Sequence, residues 1–203
     1  MKERPILFTG PMVRAILAGR KTQTRRVIKP QPMPSEEVIF DTLTHDVVYI
    51  GDEANFIVPC PYGVPGDRLW VRETWQCGMA ATPSGYGLRV RIGKAELGDV
   101  VRYRAEGDNY VPSMPWRSPR FMPRWASRIT LEVLSVRVQR VQEISDFDAF
   151  QEGVEAVEAD TDDGHCLSFT AGFRSVWDHI NAKRGFGWSV NPWVWVVEFR
   201  RVE

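Results

Sequence analysis

The sequence predicts an α+β fold: a small, partly closed β-barrel with helices inserted between its strands and with long loop insertions. Three observations predict this class. Short β-prone segments occur along the whole chain, and two segments have the apolar spacing of amphipathic helices. The longest strand candidate also contains a change of side-chain parity that is typical of a β-bulge. At 203 residues the chain is predicted to form one domain, residues 1–203.

The first part of the chain predicts one helix between two strands. "PILF" is a strand candidate, and the helix begins at Gly10, before a proline at its first position, and ends at Gly19. Residues 29–66 contain six prolines and little periodicity, so we expect loop there, with one candidate strand at "VVYIG". The turn "PGD" then leads into the apolar strand "RLWV".

The second half has clearer signals. "RITLEVLSVRVQRV" is a long strand candidate whose parity changes at Leu134-Ser135, which predicts the bulge. "SDFDAFQEG" predicts a short helix, capped by Ser145 and ended by Gly153. "SFTAGFRSVWDHINAKRG" predicts the longest helix, and the continuously apolar "PWVWVVEF" predicts a central strand buried on both faces.

Composition limits the function. Lysine plus arginine and aspartate plus glutamate number 26 each, so the formal net charge is zero. This balance argues against a protein that coats duplex DNA, though not against a local basic groove. The three cysteines form no CxxC pair, which argues for a reducing compartment. With no signal peptide and no membrane span in the sequence, we expect a cytoplasmic protein.

One segment stands out chemically. Four cations and two threonines lie between Arg20 and Arg26, directly after the glycine that ends the first helix. Three interpretations are open: a solvated basic turn at a helix C-terminus, an anion-binding surface, or a catalytic site built from a lysine and a hydroxyl. His165 and Cys166 are adjacent, but no second pair has ligand spacing, so we predict no metal and no cofactor.

Three sequence blocks carry a resemblance to a known family. "PILFTGPMVRAILAGRKTQTRR", "GDRLWVRE" and the strand–helix segment that ends in "AFQEGV" together resemble an ASCH domain, a PUA-like β-barrel. The chain is similar to bacterial N4-acetylcytidine amidohydrolases of this family and to phage-borne members with long insertions. The resemblance covers roughly residues 4–30, 64–76 and 125–203. Residues 77–123 are then a family-atypical insertion, with weak strand candidates at "GLRVRI" and "VVRYRA".

The resemblance implies an activity and three catalytic residues. The family's amidohydrolases remove the acyl group from N4-acylated cytidine without a metal. Their Lys-x-x-Thr pattern occurs here as Lys21, the implied general base, and Thr24, the implied nucleophile. The implied proton donor is Glu152, and Glu73 is the alternative carboxylate. For this chemistry, Lys21 must lie in the turn and Thr24 on the following strand, because residues three apart on one strand face opposite sides.

The implied acyl transfer requires that Lys21 is uncharged and that Glu152 is protonated. Neighbouring cations and burial favour the uncharged lysine. Four further residues are predicted to contact substrate: Arg20, Arg26, Arg72 and Trp75. The expected partner is a nucleoside or nucleobase, and we expect no membrane partner and a monomer. The alternatives are an RNA-binding module that uses the arginines and tryptophans without chemistry, or a single-strand ribonuclease.

Overall fold

The computed structural model describes residues 1–51, 54–79, 99–107, 115–161 and 164–202. Its helices and strands are, in chain order, β1 (Glu3–Leu7), α1 (Gly10–Leu17), β2 (Gln23–Val27), β3 (Glu37–Asp41), β4 (Asp46–Ile50), β5 (Asn55–Pro59), β6 (Arg68–Arg72), β7 (Trp75–Met79), β8 (Asp99–Tyr103), β9 (Thr130–Arg140), α2 (Asp146–Gln151), β10 (Val157–Thr161), β11 (Gly164–Ser168), α3 (Phe169–Asn181) and β12 (Trp193–Arg201).

The main sheet has five strands in the order β1-β6-β9-β12-β2. β1 and β6 are parallel, and the other neighbours are antiparallel. Most described elements are strands, accompanied by three α-helices, so the α+β class is confirmed. Within the described ranges no ladder joins β1 to β2, and no closed barrel is detected.

The long strand β9 contains the bulge that its parity change predicts. Val133 pairs with Phe199 and Ser135 pairs with Glu198, so Leu134 is the extra residue on β9. One extra residue bends a strand and restores the apolar face beyond it. Residues on both sides of the bulge, Val133 and Val136, are therefore buried in one core.

The expectation of loop across residues 29–66 is wrong for much of that segment. β3, β4 and β5 form a three-stranded antiparallel sheet. Its inner face carries alternating apolar residues, among them Phe40, Val47 and Val58, which pack against the main core. The flanking prolines obscure this alternation. The β10–β11 hairpin was also not predicted. The strand candidate "GLRVRI" lies outside the described residues.

Strand β12 separates two apolar cores, as expected of a strand buried on both faces. Trp195, Val197 and Phe199 face the larger core. Val194 and Val196 face a second core that includes Phe173 and Trp177 of α3. The strand therefore anchors the helical layer to one side of the sheet and the larger core to the other.

Side chains of the neighbouring strand β2 alternate between the same two layers. Thr24 lies opposite Val197 of β12, whereas Arg25 lies opposite Val196. Consecutive β2 residues thus face different layers. Thr24 faces the larger core, and Arg25 faces the helices.

A membrane span is not found: no helix of the described residues combines the length and the apolar character that crossing a bilayer requires.

Candidate active site

The turn between α1 and β2 places Lys21. Gly19 has φ +73°, a backbone conformation that suits glycine, and it ends the helix as predicted. The backbone N–H groups of Arg20 and Lys21 both donate to the carbonyl of Ala15, at 2.9 and 3.1 Å. β2 begins at Gln23. Lys21 therefore lies in the turn and Thr24 on the strand, which confirms the predicted arrangement.

Backbone hydrogen bonds join this turn to the end of α2. The N–H of Thr22 donates to the carbonyl of Gln151 at 2.9 Å, and the N–H of Phe199 donates to the carbonyl of Thr22 at 2.8 Å. α2 begins at its predicted cap, Ser145, whose side chain accepts from the N–H of Asp148. It ends at Gly153, with φ +76°. Segments distant in the sequence thus meet at Lys21.

Lys21 and Glu152 form a buried ion pair. Lys21 Nζ lies 2.6 Å from Glu152 Oε2, and the two residues are only 2% and 4% exposed. Nζ also donates to the backbone carbonyl of Glu152 at 2.9 Å and to that of Gln23 at 2.7 Å. All three ammonium protons are thereby directed to oxygen atoms.

The surroundings of Lys21 favour its neutral form. Burial is the largest influence and lowers the pKa of Lys21 below its ordinary value, because desolvation penalises the charged amine. The carboxylate of Glu152 opposes this change, whereas the nearby cations Arg26 and Arg25 lower the pKa further. Both causes that the sequence suggested, burial and neighbouring cations, act in the expected direction.

Arg25 holds the second oxygen of Glu152. Its Nη1 lies 3.3 Å from Glu152 Oε1, and its Nη2 lies 3.0 Å from Asp148 Oδ2. The side chain of Arg25 is fully buried. Asp148 and Glu152 are four residues apart, so they lie on one face of α2, and Arg25 bridges them. Arg25 is therefore an internal ion-pair partner of both carboxylates.

The ion pairs extend from Arg25 toward the surface. Arg137 of β9 pairs with Asp148 at 3.2 Å and also with Glu198 of β12. Gln23 donates to Asp148 and Glu198, each at 3.2 Å. Sequence reasoning did not place Asp148, Arg137 or Glu198 at the site. The signal available for Asp148 was its four-residue spacing from Glu152.

Thr24 faces a cleft of about 420 Å³ beside this network. Thr24 is 2% exposed and lines the cleft together with Glu152, Arg26, Tyr62 and Trp177. Lys21 is not among the lining residues, but it is hydrogen-bonded to Glu152, which is. The cleft thus brings the predicted nucleophile and the predicted acid to one concave surface, and the predicted base contacts the acid.

Arg26 also lines the cleft. It is half-buried, its Nη2 donates to the carbonyl of Leu7 at 2.7 Å, and its guanidinium lies 5.1 Å from the centre of the Phe8 ring. The same ring lies 5.6 Å from Lys21 Nζ. These contacts fix the Arg26 guanidinium while leaving other N–H donors for a ligand.

The other predicted substrate contacts lie elsewhere. Arg20 is exposed and lines an adjoining cleft of about 720 Å³, which Glu152 also lines. Arg72 donates to the carbonyl of Arg120 at 3.2 Å and lies over the Trp70 ring. Trp75 is buried in a separate small cluster. The structure does not bring Arg72 or Trp75 to Lys21 and Glu152.

The alternative carboxylate, Glu73, has a different environment. It is buried and receives two hydrogen bonds from Arg128, at 3.0 and 3.2 Å, and Arg128 also pairs with Glu106. Glu73 is thus a partner of Arg128 and not of Lys21. Across the described ranges no group of three His, Cys, Asp or Glu residues is arranged to hold a metal ion.

Comparisons of the chain with protein-family models, with curated proteins and with solved structures found no match.

The arrangement permits one particular proton transfer. Moving a single proton across the 2.6 Å between Lys21 Nζ and Glu152 Oε2 converts the ion pair into a neutral amine and a neutral carboxylic acid. Burial lowers the pKa of Lys21 and thereby favours an uncharged amine.

Proposed function

We propose that the protein is an amidohydrolase that removes the acyl group from an N4-acylated cytosine, as base or nucleoside, without requiring a metal. The observation that supports this proposal is the buried pair of Lys21 and Glu152, 2.6 Å apart, beside a cleft that Glu152 and Thr24 both line. In the proposed reaction Lys21 is the base, Thr24 is the hydroxyl nucleophile and Glu152 is the acid, which are the groups that acyl transfer needs.

In the first step, neutral Lys21 accepts the proton of the Thr24 hydroxyl. The oxygen of Thr24 then attacks the acyl carbonyl carbon and forms a tetrahedral intermediate. A Thr hydroxyl is a weak nucleophile until a base removes its proton, and only an uncharged amine can do so. The lowered pKa of Lys21, caused first by burial, supports this role.

In the second step, the intermediate collapses and the bond between the acyl carbon and N4 breaks. Glu152, in its neutral form, donates its proton to the departing nitrogen. The 3.3 Å between Arg25 Nη1 and Glu152 Oε1 is long for a charge-assisted hydrogen bond, and the other terminal nitrogen of Arg25 lies nearer to Asp148. N4 of cytosine is conjugated with its ring, which makes it a better leaving group than an aliphatic amine.

The reaction ends with hydrolysis of the acyl ester on Thr24. After acylation Lys21 is protonated and Glu152 is ionised, so transfer of the Lys21 proton to Glu152 first restores the neutral pair. A water molecule then gives one proton to Lys21 and attacks the ester carbon. The bond between the acyl carbon and the Thr24 oxygen breaks, that oxygen takes a proton from the pair to become the hydroxyl again, and the carboxylic acid is released. Arg26 lines the cleft with unused N–H donors, so it is the group proposed to stabilise the negative oxygen of both tetrahedral intermediates.

We further propose that the chain is an ASCH-type protein with a PUA-like architecture and that it acts in the cytoplasm. The quoted Gly-Arg-Lys-Thr-x-Thr block is the basis of the family assignment, and the five-stranded sheet with its bulged β9 is compatible with a partly closed barrel.

Deacylation of N4-acetylcytidine, followed by ultraviolet absorbance with and without EDTA, tests the function. We expect chelator-resistant turnover that Thr24→Ser retains in part and Thr24→Ala lowers about a thousandfold or more. Thr22→Ala is the matched control, because Thr22 contributes its backbone to the turn, and we expect that variant to remain active. No turnover by the folded wild-type protein, or full turnover by Thr24→Ala, would contradict the proposal.

A further inference from the structure

A second cleft of about 620 Å³ shares lining residues with the Thr24 cleft. Both clefts are lined by Met12, Ile180 and Arg26, so Arg26 stands where they join. The second cleft lies at the start of α1 and is also lined by Arg14 and by Arg104, which follows β8. A ligand whose acyl group lies at Thr24 can therefore extend past Arg26 into this space.

Three arginines without carboxylate partners meet in the second cleft. Arg14, Arg26 and Arg104 form no ion pair with any residue that the structure describes, whereas Lys21, Arg25 and Arg128 are all paired. Arg14 and Arg104 are exposed. Since the formal net charge of the chain is zero, this cluster is a local excess of positive charge.

Arg14 contacts the segment that carries Arg104. Arg14 Nη1 lies 3.5 Å from the carbonyl of Ala105, the residue that follows Arg104. The acidic residue in the lining, Glu73, is bound by Arg128 through two hydrogen bonds and does not neutralise the cluster. Adjacent unpaired cations repel one another, and a multivalent anion bound between them removes that repulsion.

We propose that the second cleft binds a phosphate group of the substrate, so that the acylated cytosine is presented as a phosphorylated nucleotide and not as a bare nucleoside. Arginine suits this role because its planar fork matches phosphate oxygens and stays charged. The hydroxyls of Thr9 and Thr74, which also line the cleft, add neutral donors. The phosphate belongs either to a mononucleotide or to an RNA strand. The inference rests on the proposed amidohydrolase activity for the identity of the base.

The test compares kcat/KM for three substrates: N4-acetylcytidine, its 5′-monophosphate, and a short single-stranded RNA with one N4-acetylcytidine. We expect kcat/KM for the 5′-monophosphate to exceed that for the nucleoside by about tenfold or more. Arg14→Gln and Arg104→Gln are expected to bring this ratio close to one. Arg201→Gln is the matched control, because Arg201 is exposed at the end of β12 and is not among the residues that line either cleft, and it is expected to keep the wild-type ratio.

Calorimetric binding of cytidine and cytidine 5′-monophosphate to the wild-type protein separates this inference from the proposed reaction. Tighter binding of the monophosphate that Arg104→Gln removes, without any deacylation, supports the phosphate cleft and contradicts the hydrolase. Equal affinity for the two compounds, or equal kcat/KM for the nucleoside and its monophosphate, overturns the phosphate cleft. A further gain for the RNA over the monophosphate identifies a polynucleotide as the phosphate source, whereas equality identifies the mononucleotide.

Discussion

Gly153 lies directly against Lys21: a Cβ atom placed on Gly153 would stand 2.8 Å from Lys21 Cβ and 2.8 Å from Ala15 Cβ. Side chains do not normally approach so closely, and Gly153 also has φ +76°. The glycine that ends α2 therefore permits the close approach of the α2 terminus to the turn that carries Lys21. Its lack of a side chain is part of how the Lys21–Glu152 pair is positioned.

Gly153→Ala is therefore expected to destabilise the fold by about 2–4 kcal/mol, the sum of left-handed strain and overpacking. It is also expected to lower kcat, because the added methyl group displaces Lys21. Gly185→Ala is the matched control: Gly185 has φ +82° but nothing within 4 Å of the added Cβ. The measurements are the free energy of unfolding in urea and the deacylation rate of each variant. Equal losses in the two variants would show that the contact with Lys21 is unimportant.

Removing Arg25 is expected to be costly. Arg25→Met leaves Glu152 and Asp148 buried or half-buried without their shared partner, and we expect a loss of about 3–5 kcal/mol of unfolding free energy. Arg124→Met is the comparison, because Arg124 pairs with Glu3 on the exposed surface. Such a pair contributes about 1 kcal/mol or less. Urea denaturation gives both values, and a small loss for Arg25→Met would contradict its assignment as an essential ion-pair partner.

Asp148 is expected to make stability depend on pH in the acid range. Burial would raise its pKa, but Arg25, Gln23 and Arg137 outweigh that and lower the pKa of Asp148. A carboxyl with a lowered pKa stabilises the fold above its unfolded value of 3.8, and this stabilisation disappears as pH falls through the folded value. Asp148→Asn should thus be less stable than wild type at neutral pH, and the difference should shrink on acidification. Urea midpoints between pH 7 and pH 3 test this, and a pH-independent difference would refute it.

The rate of deacylation is expected to fall at high pH. The proposed reaction starts with one proton shared between Lys21 and Glu152, and loss of that proton to solvent leaves no acid for the leaving group. Burial lowers the pKa of Lys21 below the ordinary 10.5, so the basic limb of kcat/KM should lie below that value. Lys21→Arg should be inactive at every pH tested, since arginine does not lose its proton in this range. A rate that does not fall up to pH 10.5, or an active Lys21→Arg, would exclude Lys21 as the base.

The two candidate carboxylates can be separated by neutral substitutions. Glu152→Gln removes the proton donor and should lower kcat by a hundredfold or more, roughly what a general acid contributes. Glu73→Gln weakens the contacts with Arg128 and should mainly lower stability, with kcat of the folded protein changed less than about tenfold. The comparison uses stopped assays at equal concentrations of folded protein, which circular dichroism determines. The reverse order of effects would assign the acid to Glu73.

Much of the fold was predictable because local signals were strong. Residue types and spacing alone predict the ends of α1 and α2, the helix α3, the buried β12 and the bulge at Leu134. The sheet formed by β3, β4 and β5 was missed because nearby prolines obscured its alternation. The β10–β11 hairpin was missed because its strands carry few apolar residues, so their sequence pattern is weak. Tertiary contacts stabilise the hairpin.

The site was only partly predictable for a different reason. The turn position of Lys21 and the strand position of Thr24 follow from Gly19 and from side-chain alternation. The ion pairs of Arg25 with Asp148 and Glu152 join segments more than 120 residues apart in sequence, as the separation of 127 between Arg25 and Glu152 illustrates. No local pattern encodes which distant carboxylate meets a given cation. The positions of Arg72 and Trp75 away from the cleft likewise depend on packing.

The central place of β12 has a consequence for biosynthesis. β2 is made early, but its partner in the sheet is β12, which the ribosome produces last among the described strands. Lys21 and Glu152 are themselves 131 residues apart, so their contact closes a very long loop. In a nascent chain that lacks β12, β2 has no neighbouring strand to pair with in the main sheet. The proposed activity should therefore begin only after translation has passed β12, and an incomplete chain that stops before this strand should have no deacylase activity.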